Sequence, residues 1–573
     1  MSLPRFMIAA PASGSGKTLV TCGLLQALVD RGLKVASFKC GPDYIDPMFH
    51  SRAIGTRSKN LDAYFVEEPV LRYLFGRTAE TVDISVVEGV MGFYDGVTFD
   101  GTFASSNDVS NKLGIPVVLL VNAKGASLST VAVLKGFRDF AENNIRGVIF
   151  NQMSKKVFDA VAPLVREMDI EPLGYVPKVS DLVLESRHLG LVLPGEIESL
   201  REKLHKLGAV LEESVDIDKL IGIANNAPEL DYSAPEVGRI DGRVRIGFAD
   251  DDAFCFTYED NIEILERMGA EIVRFSPVRD RKLPDVDGII LSGGYPELHG
   301  EELESNTSML EDIRTKIADG MPCIAECGGF MYLHEKMEDR DGIERRMCGA
   351  IPGRTWNTGK LCRFGYVSLQ PVDDRGMIRS RPVIKGHEFH YWDSESNGDA
   401  WEASKRGTTY RCINDDGTLL AGYPHMYYYS NPEVPLGFLR RCAEYRDSRN
   451  RSDEDDLHQD HVEHGSDTDR EEDVPLPDMQ GNDRDARDQL GEPIRIRQDR
   501  GRFQTVDDQH PDDRRRQDLP GVLDLRRDLL PFREHKERCR TGREGRHGDD
   551  GYHYQRGGRI KHRSCPPASR SSS

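Results

Sequence analysis

Phe6-Met7-Ile8-Ala9-Ala10-Pro11-Ala12-Ser13-Gly14-Ser15-Gly16-Lys17-Thr18 passes from a short apolar run through a glycine-rich turn into a helical pattern reaching Val29. A strand, a tight turn and a helix in that order aim backbone N–H groups at one point, and anions collect there. Gly14, Ser15, Gly16, Lys17 and Thr18 are therefore the candidate nucleotide-binding residues. Lys17 would reach the terminal phosphates and the Thr18 hydroxyl would ligate Mg²⁺. The usual phosphate-loop pattern has a further glycine about five residues before Gly16, where this chain has Pro11, so the match is partial.

The same alternation continues outward. Val35-Ala36-Ser37-Phe38, Ile84-Ser85-Val86-Val87, Val117-Val118-Leu119-Leu120-Val121 and Gly147-Val148-Ile149-Phe150 read as buried strands separated by helical segments. That pattern implies βαβ units and a mostly parallel sheet. A polar stretch at 225–241 reads as a linker, and the alternation restarts at Val244-Arg245-Ile246-Gly247-Phe248, Ile272-Val273, Gly288-Ile289-Ile290-Leu291 and Cys323-Ile324-Ala325. The expected fold class is α/β, with a nucleotide-binding domain over 1–224 and a second, doubly wound domain over 242–445.

Beyond 445 the composition changes. Charged residues crowd the segment 446–573, apolar ones thin out, and its basic residues are almost all arginine, Lys536 and Lys561 being its lysines. Such a segment buries too little apolar surface to offset its ordering entropy and is expected to be a disordered tail. An interaction tail and a read-through or frameshift product are the two explanations.

Across 573 residues, 76 basic and 96 acidic side chains give a net charge of −20. That balance argues against a dedicated nucleic-acid binder. No apolar run approaches the roughly 18 residues of a membrane helix, and no secretory signal is legible. The 11 cysteines include no CxxC pair and suit a reducing compartment, so a cytoplasmic location is expected.

Mg²⁺ at the phosphate loop needs carboxylates. Glu88 closes the apolar strand Ile84–Val87, Asp43 and Asp46 lie in Gly41-Pro42-Asp43-Tyr44-Ile45-Asp46-Pro47, and Asp95 lies in Gly92-Phe93-Tyr94-Asp95-Gly96. Each acid alone could be a solvated or turn-forming residue. Together, on strand-end loops, they suit metal binding and phosphorylation of an anionic substrate. Glu88 with Thr18 forms the candidate metal pair.

A second chemistry is written at Pro322-Cys323-Ile324-Ala325-Glu326-Cys327-Gly328-Gly329. A strand entering a glycine-flanked turn is the cysteine form of a nucleophile elbow. The Gly328 N–H, with Gly293 or Gly294 of Leu291-Ser292-Gly293-Gly294-Tyr295, could form an oxyanion hole. His425 is the leading base for Cys327 and His390 the second. The competing reading, an inert buried thiol, lacks a reason for the elbow.

With these blocks in place, the chain resembles the ATP-dependent, glutamine-using cobyrinic acid a,c-diamide synthase family. Arg187-His188-Leu189-Gly190-Leu191, Gly293-Gly294-Tyr295-Pro296-Glu297 and Gly386-His387-Glu388-Phe389-His390 join the motifs above in one collinear set over about residues 5 to 440. The resemblance implies a dethiobiotin-synthetase-like ATP domain joined to a class I glutamine amidotransferase-like domain. Cys327 would be the nucleophile and His425 the residue raising its reactivity. Asp43, Asp46 and Asp95 would be catalytic in the ATP half. Fuller class I enzymes carry a glutamate two residues after the histidine, whereas this chain has Tyr427, so a Cys–His pair without a third carboxylate is expected.

The implied reaction is ATP- and Mg²⁺-dependent amidation of the a and c acetates of cobyrinic acid, or a related tetrapyrrole, with L-glutamine or ammonia as nitrogen donor. Nickel-sirohydrochlorin diamidation and cobyric acid synthesis are the nearest alternatives. A regulatory or scaffold ATPase with a dead amidotransferase half is the alternative of another class. Neither nucleic acid nor membrane is expected as a partner, and a homodimer is left open.

Overall fold

The computed structural model describes residues 2–178 and 194–463. Arg187 and His188, and the expected tail from 464 onward, lie outside the described residues.

The N-terminal sheet comprises β1 (Arg5–Ala9), β2 (Val35–Cys40), β3 (Arg57–Leu61), β4 (Ile84–Glu88), β5 (Val117–Asn122), β6 (Ile145–Asn151) and β7 (Glu171–Val176). These seven strands are parallel throughout, in the order β3-β2-β4-β1-β5-β6-β7. Helices cover both faces of such a sheet, so its strands read as continuous apolar runs; β1 and β4 are buried at every position. The order reverses beside β1, and the crevice at that switch point is where a ligand meets the strand ends.

Strand β3 is the exception. Its sequence, Arg57-Ser58-Lys59-Asn60-Leu61, carries no apolar signal, yet four of its five residues are buried. Ser58 Oγ lies 2.6 Å from Ser37 Oγ, and Lys59 Nζ donates to Asp260 Oδ1 at 2.9 Å and Glu263 Oε2 at 2.6 Å. Partners on β2 and in the other half of the molecule satisfy its polar groups, and periodicity cannot report such partners.

The second sheet contains β8 (Val244–Ala249), β9 (Ala270–Phe275), β10 (Gly288–Leu291) and β11 (Cys323–Glu326), followed by strand Leu419–Gly422 and a short antiparallel edge at Asn414–Asp415. All but that edge are parallel. Beside it stands a five-stranded antiparallel sheet that the sequence reading did not resolve. Its strands run Thr408–Cys412, Trp401–Lys405, Arg363–Pro371, Ile384–His390 and His425–Met426 in spatial order.

One face of this antiparallel sheet turns toward the N-terminal half. The Tyr366 hydroxyl donates to Asp62 Oδ2 at 2.8 Å, the Tyr366 ring stacks on Tyr64 at 4.2 Å, and Lys385 Nζ donates to the Tyr64 carbonyl at 2.8 Å. The segment 225–241 is fastened rather than free: Arg5 donates to the Pro228 carbonyl at 2.7 Å, and the Ile240 N–H donates to Met268 O at 3.0 Å.

The boundary expected at residue 445 is corrected. The last helix runs Glu433–Glu463, straight through it. Arg446 Nη1 donates to the Arg243 carbonyl at 2.7 Å and Arg449 Nη1 to the Val286 carbonyl at 3.3 Å. Helix propensity and two anchoring arginines carry order past the point where composition turns polar.

Candidate active site

At the phosphate loop, Gly14 and Gly16 have φ of 76° and 95°. Helix α1 (Lys17–Asp30) begins on Gly16 with no side-chain cap, which leaves its first N–H groups open for an anion. A Cβ at position 16 would stand 2.5 Å from Asn151 Nδ2, and that same amide donates to the Ser15 carbonyl at 2.8 Å. Asn151, at the end of β6, thus braces the loop from outside its motif. Lys17 Nζ donates to the Met91 carbonyl at 2.6 Å, and the Thr18 hydroxyl donates to Glu88 Oε1 at 2.8 Å.

Glu88 is wholly buried, and its Oε2 has no hydrogen-bond partner among the described residues. Burial, joined by the charge of Asp46, pushes its carboxyl up to about 7 against the pull of Lys39. Lys39 organises these acids. Its ammonium donates to Glu88 Oε1 at 2.7 Å, pairs tightly with Asp46, and lies 3.8 Å from Asp43 Oδ2. Burial would raise Asp46, but the Lys39 charge outweighs it and holds that carboxyl low. Asp43 goes the other way, raised by burial and by Asp46.

Asp43 also has a local duty: its Oδ1 accepts the Ile45 and Asp46 N–H groups at 2.9 and 3.2 Å and so sets the loop. Asp95 stands apart from this cluster, folding back to accept the Gly92 N–H at 2.9 Å. The structure thus brings Thr18, Glu88, Asp43 and Asp46 together around Lys39 and leaves Asp95 on the neighbouring loop.

An orphaned buried carboxylate oxygen beside a threonine hydroxyl is a hard-oxygen donor set suited to Mg²⁺. No group of three His, Cys, Asp or Glu side chains among the described residues is arranged to hold a metal.

In the second half, Cys327 follows β11 with φ 49° and ψ −103°, a conformation a side chain rarely adopts, and opens the short helix Gly328–Tyr332. Its glycine neighbours are required by space. A Cβ at 329 would stand 2.2 Å from the Leu291 carbonyl oxygen, and one at 328 would stand 2.8 Å from Pro296 Cδ and 3.0 Å from the Gly294 nitrogen. A Cβ at 293 would stand 2.3 Å from His425 Cε1. Gly328 therefore meets Gly294, and Gly293 meets His425, on the side of the turn that carries Cys327.

Burial, with Glu297 and Glu326 nearby, pushes the Cys327 thiol far up. Burial, with His387 and His390 nearby, pushes the His425 imidazole well down. Both shifts favour the neutral thiol and the neutral imidazole. His390 is otherwise engaged: its Nδ1 lies 2.7 Å from the Trp392 carbonyl and its ring stacks on Tyr423 at 3.9 Å.

Two residues that the sequence reading quoted without a role stand beside these groups. Glu326 Oε2 lies 3.8 Å from His425 Nδ1, an atom with no hydrogen-bond partner among the described residues. Where a pair without a third carboxylate is expected, the structure places an acid facing the histidine, at the position before Cys327. A glutamate ending an apolar strand was the available signal. Tyr427, where the fuller pattern has its acid, instead donates to Asp260 Oδ2 at 2.9 Å. The second residue, Tyr44, leaves the loop that carries Asp43 and Asp46. Its ring stacks on Phe256 at 5.0 Å and lies 5.3 Å from that of His425.

Residues 6–192 match the model of the CobQ/CobB/MinD/ParA nucleotide-binding domain, and residues 245–433 match that of the CobB/CobQ-like glutamine amidotransferase domain. Among curated proteins, the cobyrinate a,c-diamide synthase of Salmonella typhimurium is 38% identical over 448 residues, covering 75% of this chain and 96% of its own length. That of Methanothermobacter thermautotrophicus is 37% identical over 456 residues, covering 77% of this chain and 100% of its own length. That of Listeria monocytogenes serotype 4b is 36% identical over 438 residues, covering 74% of this chain and 97% of its own length.

Proposed function

The chain belongs to the cobyrinate a,c-diamide synthase family, and we propose that it amidates the a and c acetate carboxylates of cobyrinic acid with ATP and glutamine. One observation carries this reading: the loop Gly41–Pro47 sets Asp43 and Asp46 at the phosphate-loop acids and Tyr44 against His425. A single turn of chain thereby joins an ATP-using half to a glutamine-using half.

In the glutamine half, the neutral Cys327 thiol gives its proton to His425 as sulfur attacks the amide carbon. Backbone N–H groups at Gly328 and Gly293 or Gly294 take the developing oxyanion. The thioester forms as ammonia leaves with the proton from His425, and water then releases glutamate. In the ATP half, a substrate carboxylate oxygen attacks the γ-phosphorus and ADP departs, leaving an acyl phosphate. Ammonia displaces phosphate from the acyl carbon to give the amide.

Catalysis of phosphoryl transfer is positioning and electrostatics, here assigned to Lys17, Asp43, Asp46 and, on the adjacent loop, Asp95. Thr18 and Glu88 would hold Mg²⁺, which supplies charge neutralisation on the transferring group.

Mass analysis of products tests the reading, with purified protein, ATP, Mg²⁺ and glutamine offered cobyrinic acid and nickel-sirohydrochlorin separately. Two carboxyl-to-amide conversions on cobyrinic acid are expected. Conversion of the nickel ring alone would move the substrate, and four conversions would make the enzyme a cobyric acid synthase.

A further inference from the structure

On strands Arg363–Pro371 and Ile384–His390, Phe364 pairs with Phe389 and Tyr366 with His387. Side chains two apart share a face, roughly 7 Å apart along the strand. The Tyr366 and His387 end of this face is covered: Tyr366 bonds Asp62, a Cβ at Gly41 would be 3.8 Å from its hydroxyl, and His387 lies 5.6 Å from Tyr44. The Phe364 and Phe389 end is bare. Their rings meet edge to face at 5.6 Å while remaining 62% and 49% exposed.

The turn that follows Trp401–Lys405 lies against this wall. Lys405 donates its ammonium to the Phe364 carbonyl. The next residue, Arg406, donates to the Val97 carbonyl at 3.2 Å and lies 5.3 Å from the centre of the Phe99 ring, which is 100% exposed. Val97 and Phe99 belong to the loop continuing from Asp95. A circuit of contacts therefore runs from Asp43 through Gly41, Tyr366, Phe364, Lys405 and Arg406 back to the Asp95 loop. It links a rim, the bare aromatic pair and two cations, to the loops that carry Asp43 and Asp95.

We propose that this rim is the macrocycle-binding surface, with Phe364 and Phe389 packing against the ring of a tetrapyrrole-derived polycarboxylate and Lys405 and Arg406 facing its unreacted carboxylates. The proposal rests on the function proposed above and assigns the residues that grip the substrate. Exposed aromatic faces beside fixed cations are an uneconomical surface for a chain of net charge −20 unless something flat and anionic covers them. The site also explains reach: a ring held at the rim can present a peripheral acetate inward, to the acids around Lys39. Glutamine carries no flat ring surface.

The test compares wild type with Phe364→Ala/Phe389→Ala, Arg406→Glu and the conservative Phe364→Tyr. Binding of cobyrinic acid is followed by its visible absorbance in equilibrium dialysis, and amidation by product mass. The double variant and Arg406→Glu are each expected to raise Kd and KM for cobyrinic acid roughly tenfold, with KM for glutamine held and Phe364→Tyr near wild type. Unchanged Kd and KM in both disruptive variants, on an active wild type, would overturn the rim assignment and leave the function intact. A wild type that neither binds nor amidates cobyrinic acid would overturn both.

Discussion

Glu326 Oε2 stands 3.8 Å from His425 Nδ1, so the acid that faces the histidine comes from the residue before Cys327 and not from two residues after the histidine. Burial pushes the Glu326 carboxyl up to about 8, while its Oε1 accepts the Met426 N–H at 3.1 Å. Ionisation of this acid would stabilise the imidazolium that forms as Cys327 attacks.

Glutamine hydrolysis is accordingly expected to climb as pH passes about 8. Glu326→Gln should lower its kcat by about a hundredfold and flatten that limb, with ammonia-dependent amidation preserved. Stability carries the same signature. The folded state holds the Glu326 proton above the ordinary carboxylate range, so folding stability falls as pH rises toward 8, and the Gln variant should lose less across that window in thermal melts.

Separating the two halves gives a second prediction. Cys327→Ala should abolish glutaminase and glutamine-dependent amidation while ammonium salts still support product formation. Lys17→Ala should do the reverse, ending amidation from either nitrogen source with glutamate release still measurable. Parallel loss of both activities in Lys17→Ala would contradict the division of labour.

Lys39 stands among three acids, 2.7 Å from Glu88 Oε1 and 3.8 Å from Asp43 Oδ2. Lys39→Met strands buried carboxylates without a counter-charge and should destabilise the fold by about 3–5 kcal/mol in denaturant titrations. Adding Glu88→Gln to Lys39→Met should recover part of that stability, because one of the stranded charges is gone.

The helix Glu433–Glu463 yields a prediction about length. A chain ending at residue 463 should melt at the wild-type temperature and keep its activity. One ending at 445 loses the bonds from Arg446 to Arg243 and from Arg449 to Val286, and its Tm should fall by several degrees.

The α/β class, the phosphate loop, the nucleophile elbow and the family were legible in residue order, because each is a local device: strand, turn and helix, or strand and glycine elbow, within a dozen residues. The placement of Glu88 and Cys327 at strand ends was legible for the same reason, since each closes or follows an apolar run. Strand β3 was not, since its serine and lysine find their partners on β2 and in the other half of the chain. Nor was the antiparallel sheet, whose strands mix polar and apolar positions on two partly covered faces.

What only the tertiary structure decided is which distant residues meet. Tyr44 reaches His425, Lys39 gathers three acids from two loops, and Phe364 stands by the turn that touches Phe99. Sequence sets local geometry through backbone dihedrals and burial pattern. Contacts between residues hundreds of positions apart depend on how two finished sheets dock, and no short window of residues records that.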